Sequence, residues 1–109
     1  EQLVGVININ VSAAHERGEL AYWIGKDYWG KGYGTEAAKA VVAYGFVQLQ
    51  LHKVFAASFT SNVGSWRIME KIGLYYEGTL KQHVARFGQF HDVAYYGMTK
   101  DVYEASARH

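Results

Sequence analysis

Residues Tyr28–Ala37 read YWGKGYGTEA, and the fold is worked out from this stretch. Gly30, Gly32 and Gly34, with Lys31 and Tyr33 between them, join the apolar run Leu20–Ile24 to a helical pattern that begins near Thr35. Glycines let successive backbone N–H groups point to one side. A helix that starts just afterwards adds free N–H donors and the positive end of its dipole, so the segment reads as a cradle for a pyrophosphate. It is not a P-loop, because Thr35 is followed by Glu36 and Lys31 comes too early. Nor is it a dinucleotide fingerprint: about twenty positions on, where that motif needs an acidic residue, the chain reads Leu51-His52-Lys53-Val54-Phe55.

Working outward, Leu3–Val11 alternates, with Ile7, Ile9 and Val11 on one face and Asn8, Asn10 and Ser12 on the other, the period of a half-buried strand. Ala13–Gly18 reads as the turn of a hairpin into a second strand, Glu19–Gly25. Beyond the glycines, Ala38, Val41, Val42, Gly45, Phe46 and Leu49 form one stripe of a helix over Thr35–Leu49. Val54–Phe59 is a third strand, and strand, helix, strand implies a parallel pair. Asn62 reads as the N-cap of a helix over Val63–Ile72, and Gly73 as its left-handed terminator. Leu74–Ala85 and Phe90–Met98 then form a hairpin that bends at Arg86–Gln89, and the tail from Asp101 is a short helix or frayed end. The result is one α/β domain over residues 1–109 with a mixed sheet. Its glycine segment lies at the carboxyl end of a strand, where ligands of such sheets collect.

Composition fits this. Half of the 109 residues are hydrophobic and 16% aromatic, with no cysteine and a net charge of +1. That length carries one core. The charge gives no case for nucleic acid or an anionic membrane, and the lack of cysteine excludes thiolate and disulfide chemistry. The lack of cysteine also fits the cytoplasm, which is the expected location, and no apolar run nears the roughly twenty residues of a membrane span. His83 and His91 stand about equally far from the hairpin bend, which raises a metal reading; two histidines without a third ligand make a poor zinc site, and no metal is expected. Tyr22, Trp23, Trp66, Tyr75, Tyr76, Tyr95 and Tyr96 read as core and strand-face residues.

Taken together, YWGKGYGTEA, then Asn62-Val63-Gly64-Ser65, then Glu70-Lys71-Ile72-Gly73-Leu74 and Glu77-Gly78 resemble the GNAT superfamily of acetyl-CoA-dependent N-acetyltransferases, and within it the RimJ/RimL type. The resemblance implies a GNAT-like acyl-CoA N-acyltransferase fold that moves an acetyl group from acetyl-CoA to a protein N-terminal or small-molecule amine. It implies that Gly30, Lys31, Gly32, Tyr33, Gly34 and Thr35 hold the coenzyme pyrophosphate. It implies that the end of the second strand, Trp23, Ile24 and Gly25, bonds the pantetheine arm, that Asn62 lies near that arm and that Ser65 lies near the sulfur. Arg67 and Lys71, four apart on a helix, are candidates for a coenzyme phosphate.

This sequence departs from the family pattern in three places. Trp29 stands where many relatives carry a polar residue. Met69 stands seven residues after Asn62, where many carry the Tyr that protonates the leaving thiolate, and a thioether has no proton to give. The resemblance passes that role to Ser65, and Glu19 is the candidate general base. Finally, the strand, two helices and strand that precede the counterpart of Leu3–Val11 in the family fold have no counterpart here. The expectation is therefore an N-terminally truncated domain that keeps the coenzyme half, with Leu3–Val11 as an exposed edge for homodimer pairing. The alternative is a non-catalytic module that binds acetyl-CoA or a partner.

Overall fold

A computed structural model of the chain describes residues 5–24 and 33–107. Their elements run β1 (Gly5–Ser12), a single 3-10 turn (Ala13–His15), β2 (Arg17–Ile24), α1 (Tyr33–Val47) and β3 (Lys53–Phe59), then α2 (Val63–Lys71), β4 (Tyr75–Arg86), β5 (Gln89–Thr99) and α3 (Lys100–Ala107). The five strands form one mixed sheet in the order β1-β2-β3-β5-β4. The β2–β3 pair is parallel, and β1–β2, β3–β5 and β4–β5 are antiparallel.

Alternation in β3 decides the two faces of this sheet. Val54, Ala56 and Ser58 are buried, while Phe55, Ala57 and Phe59 point the other way and are partly exposed. The buried set joins Leu20, Ala94, Tyr96 and Met98 of the sheet to Ala38, Val42 and Phe46 of α1 and to Met69 of α2 in one core. Tyr103 of α3 stacks on Phe46 with ring centroids 4.8 Å apart. All three helices thus contribute to the same cluster. On the opposite face, Phe55 stacks with Tyr95 at 6.3 Å and Phe59 with His91 at 4.6 Å.

Backbone packing sets how closely α1 approaches. Gly18 of β2 and Gly45 of α1 both lie against the side chains of Ile9 and Leu51. A Cβ added at Gly18 would fall 2.7 Å from Ile9 Cγ1, and one at Gly45 3.1 Å from Ile9 Cδ1. A side chain at Gly18 would force Ile9 to shift, and one at Gly45 would need Ile9, Val54 and Leu51 to give by a few tenths of an ångström, so the helix rests close on the sheet.

Both ends of the first helix shift by two residues. The first helix begins at Tyr33 and not Thr35, so Tyr33, Gly34 and Thr35 lie within its first turn. It ends at Val47 and not Leu49: the Gln48 and Leu49 amides both donate to the Tyr44 carbonyl, and Gln50 turns left-handed at φ 55°. Leu49 is therefore 36% exposed and leaves the stripe, and Leu51, at 4%, takes the buried place. Tyr75 and Tyr76, read as core or strand-face residues, are 64% and 59% exposed on the sheet's edge strand β4. The cap at Asn62 and the left-handed terminator at Gly73, φ 95°, are as the sequence suggests.

The β4–β5 hairpin turns at Phe87 and Gly88, both with positive φ, as a tight two-residue turn requires. An irregularity lies between Leu80 and Val84, with Gln82 at φ 49°. Asp92 of β5 holds it: the Gln82 amide donates to Asp92 Oδ1 at 2.8 Å, and Lys81 Nζ donates to Oδ2 at 3.3 Å. This register pairs His91 with Val84, so His83 does not stand opposite His91 as the distance from the bend suggests. Val84 and His91 are each the third residue out from the Phe87–Gly88 turn, in unbroken register, and His83 is one residue further along its strand.

The Gln82 amide, followed by the Lys81 ammonium, holds the Asp92 carboxyl below its ordinary value of 3.8. A depressed carboxyl stabilises the fold when ionised, and that contribution is lost as pH falls through the lowered folded value. The bulge is therefore expected to loosen only as pH falls below the ordinary carboxyl value of 3.8, seen as movement of the Gln82 amide resonance in an NMR titration. Asp92→Ala should remove this transition; a titration unchanged by that substitution would assign it to another group.

Candidate active site

Parallel pairing between β2 and β3 is short. It joins Arg17 to Lys53, Gly18 to Val54 and Glu19 to Phe55, and no further pair is formed among the described residues. Both strands go on: β2 to Ile24, paired throughout with β1, and β3 to Phe59, paired throughout with β5. The sheet therefore parts above Glu19 and Phe55 into a wedge. Its two walls are strand backbones whose N–H and C=O groups on that side have no strand partner. Such a wedge accepts a narrow chain that carries amides of its own.

Both long helices begin at the wide end of this wedge. α1 starts at Tyr33, nine residues after β2 ends, and its first turn contains Gly34, Thr35 and Glu36. Amides of a first helical turn lack intrahelical acceptors and favour an anion. Gly25, Gly30, Lys31 and Gly32 of the expected cradle lie outside the described residues. Trp23 and Ile24 are the last residues of β2, on the wall of the wedge.

At the end of β3 the chain turns through Thr60 and Ser61 into α2. Asn62 caps this helix: its Oδ1 accepts from the Ser65 amide at 3.3 Å, and its carbonyl accepts from the same amide at 3.1 Å. The buried Ser58 hydroxyl donates to the Phe59 carbonyl at 3.0 Å, and Trp66 Nε1 donates to the Thr60 carbonyl at 3.2 Å. These bonds fix the β3–α2 corner, so the strand end and the helix start move as one piece. Ser65 is half-buried in the first turn of α2, as expected of a residue near this corner. Arg67 and Lys71 are both exposed, and the Arg67 guanidinium lies 6.0 Å over the Trp66 ring. Met69, at 1% exposure, is part of the core.

Glu19 stands at the vertex, on the face away from the helices. Its neighbours in register are Asn10 of β1 and Phe55 of β3. The structure thus gathers Glu19 and the ends of β2 on one wall, and Asn62 and Ser65 at the corner of the other. It adds residues that the sequence reading did not single out: Phe55 beside Glu19, Tyr95 stacked on Phe55, and Arg17, whose guanidinium lies 5.9 Å from the Phe55 ring centroid. The burial pattern of β3 turns Phe55 away from the core, and its partners come from residues distant in sequence. Among the described residues no group of three or more His, Asp and Glu side chains is arranged to hold a metal ion.

A mixed sheet that parts between two parallel strands, with a helix starting at the end of each, is the architecture of GNAT acetyltransferase structures. An acetyltransferase of the GNAT family from Bacillus anthracis superposes with a TM-score of 0.84 at 33% identity, over 90% of this chain and 59% of that one. The chain belongs to the acetyltransferase (GNAT) domain family, whose sequence profile matches residues 1–75. Among curated relatives, the putative ribosomal N-acetyltransferase YdaF of Bacillus subtilis is 32% identical over 103 residues, 94% of this chain and 56% of the relative. Spermidine N(1)-acetyltransferase of Escherichia coli K12 is 35% identical over 88 residues, 81% of this chain and 46% of the relative. The chain spans about half the length of the curated relatives it matches. No helix among the described residues is long and apolar enough to cross a membrane.

Proposed function

We propose that this chain is the coenzyme-binding portion of a RimJ/RimL-type N-acetyltransferase, which moves an acetyl group from acetyl-CoA to a primary amine on a protein N-terminus or a small molecule. The observation that carries this reading is the end of β2–β3 pairing at Glu19–Phe55, which leaves two backbone walls free for an amide-bearing arm. Acetyl-CoA supplies such an arm and an activated acetyl thioester. The wall residues Trp23 and Ile24, with Gly25, bond that arm through their backbone. Gly30, Lys31, Gly32, Tyr33, Gly34 and Thr35 receive the pyrophosphate, the last three through the first turn of α1. Asn62 keeps the α2 start in place beside the arm, and Arg67 reaches a coenzyme phosphate.

For the chemistry, Glu19 takes the proton of the acceptor ammonium, which frees the nitrogen lone pair for attack on the thioester carbonyl. A backbone N–H of β2 stabilises the oxygen as it gains charge. Ser65 Oγ gives a proton to the departing sulfur, the task for which Met69 has no donor, and is reprotonated by the second proton that the acylated nitrogen releases as the amide forms. Met69 is also what favours the second reading, a module that binds acetyl-CoA without turning it over.

Calorimetric titration with acetyl-CoA, paired with thermal melting, tests the first step. At a hundred times its dissociation constant a native-state ligand contributes about 2.7 kcal/mol, which raises the midpoint on the order of 10 °C in a domain of this size. A midpoint that does not move withdraws the coenzyme reading, and binding without turnover of any amine selects the module.

Replacing Glu19 by Gln is expected to lower turnover by about a hundredfold while the melting shift with acetyl-CoA stays the same. An unchanged rate would remove Glu19 from the mechanism.

The outer edge of β1 pairs with no strand among the described residues, and such an edge is a template for a second copy. Sedimentation is expected to show this 109-residue chain as a dimer; a monomer at high concentration would refute edge pairing.

A further inference from the structure

We infer that the acceptor is an amine that also carries a carboxylate, and that Arg17 is the residue that reads it. This rests on the acetyltransferase reading and adds the class of acceptor. The sheet face away from the helices is the side of the wedge on which Glu19 stands. Two residues before Glu19 on the same strand, and so on the same face, is Arg17. Arg17 is exposed, and its guanidinium is held 5.9 Å from the Phe55 ring centroid. Among the described residues it forms no ion pair.

The neighbouring charges decide what this cation is for. Lys53, opposite Arg17 in register, is committed elsewhere: its Nζ lies 2.9 Å from Glu77 Oε1. That pair reaches across β5 above Gly97, where an added Cβ would fall 2.7 Å from Glu77 Oε2 and 2.8 Å from Lys53 Cε. The negative charge of Glu77 is thus spent on Lys53, and among the described residues Arg17 is a cation with no ion-pair partner, on the same strand face as Glu19. On β1, the residues opposite are neutral, Asn10 facing Glu19 and Ser12 facing Arg17. An amine seated at Glu19 therefore has a fixed cation about 7 Å along the strand.

A polyamine would bring a second ammonium toward that cation and be repelled. A carboxylate at that distance would meet the guanidinium fork, which binds it through two parallel N–H bonds. About 7 Å is within reach of an acidic side chain at the second or third position of an extended peptide that begins at the amine. Phe55 holds the guanidinium in place, so little side-chain freedom is lost when the carboxylate arrives.

The test is a calorimetric titration of the chain saturated with coenzyme A, using seryl-glutamate amide, seryl-lysine amide and spermidine. The expected result is that the acidic dipeptide binds at least about tenfold tighter than either cation, the scale of one charge-assisted pair. Arg17→Gln should remove this preference and leave the melting shift with acetyl-CoA unchanged. Equal binding of the three, binding of none, tightest binding of spermidine, or a preference that survives Arg17→Gln each overturns the proposal. A chain that fails to bind acetyl-CoA shows it in the melting curve before any amine is added, which marks the failure as one of the coenzyme reading, and the proposal falls with it.

Discussion

Three residue pairs hold the two halves of this sheet together. On one side β1 and β2 form a ribbon paired from Gly5–Ile24 to Ser12–Arg17, and on the other β3 is paired along its whole length with β5. Each ribbon carries its own right-handed twist, and between them, among the described residues, only Arg17–Lys53, Gly18–Val54 and Glu19–Phe55 are joined. Past that point the two ribbons follow their separate twists and part. The wedge is thus a consequence of how the strands are shared out, and no special residue is needed to open it.

What keeps the halves from separating further is behind the sheet. Leu20 from the first ribbon and Val54 and Ala56 from the second are nearly or fully buried against Ala38, Val42 and Phe46 of α1. A single helix therefore spans the seam. Apolar burial of this kind supplies most of the favourable free energy of a small domain, and here it is concentrated where the backbone ladder is weakest. The face in front of the seam carries the polar groups: Glu19, Arg17 and the asparagines of β1. Stability and chemistry are placed on opposite sides of the same few residues.

Much of this was legible in the sequence where the signal is local. Asn62 as a cap, Gly73 as a terminator and the Phe87–Gly88 turn follow from backbone preferences that neighbouring residues alone decide. The glycine segment and the order of elements carry the family resemblance in the sequence itself. Other features need partners from afar. Leu49 has the spacing of a core residue, yet Leu51 is buried in its place because the chain leaves the helix after Val47. The bulge at Gln82 depends on a carboxylate ten residues away on the next strand. Arg17 looks like a turn-edge cation, and only the register with Lys53, together with the diversion of Lys53 to Glu77, shows that among the described residues it has no ion-pair partner.

The glycine contacts beneath α1 have a mechanical consequence. Gly45 seats the last turn of the helix on Ile9 and Leu51, while its first turn, Tyr33–Glu36, stands at the wide end of the wedge. The fifteen residues between Tyr33 and Val47 make a rod of about 22 Å, pivoted near one end. Any bulk added under the pivot tilts the rod and moves its far end by a larger distance than the bulk itself. A methyl group deep in the domain, remote from every reacting atom, can thereby set the width of the opening, so natural variants at Gly18 or Gly45 would act on ligand affinity at long range through leverage alone.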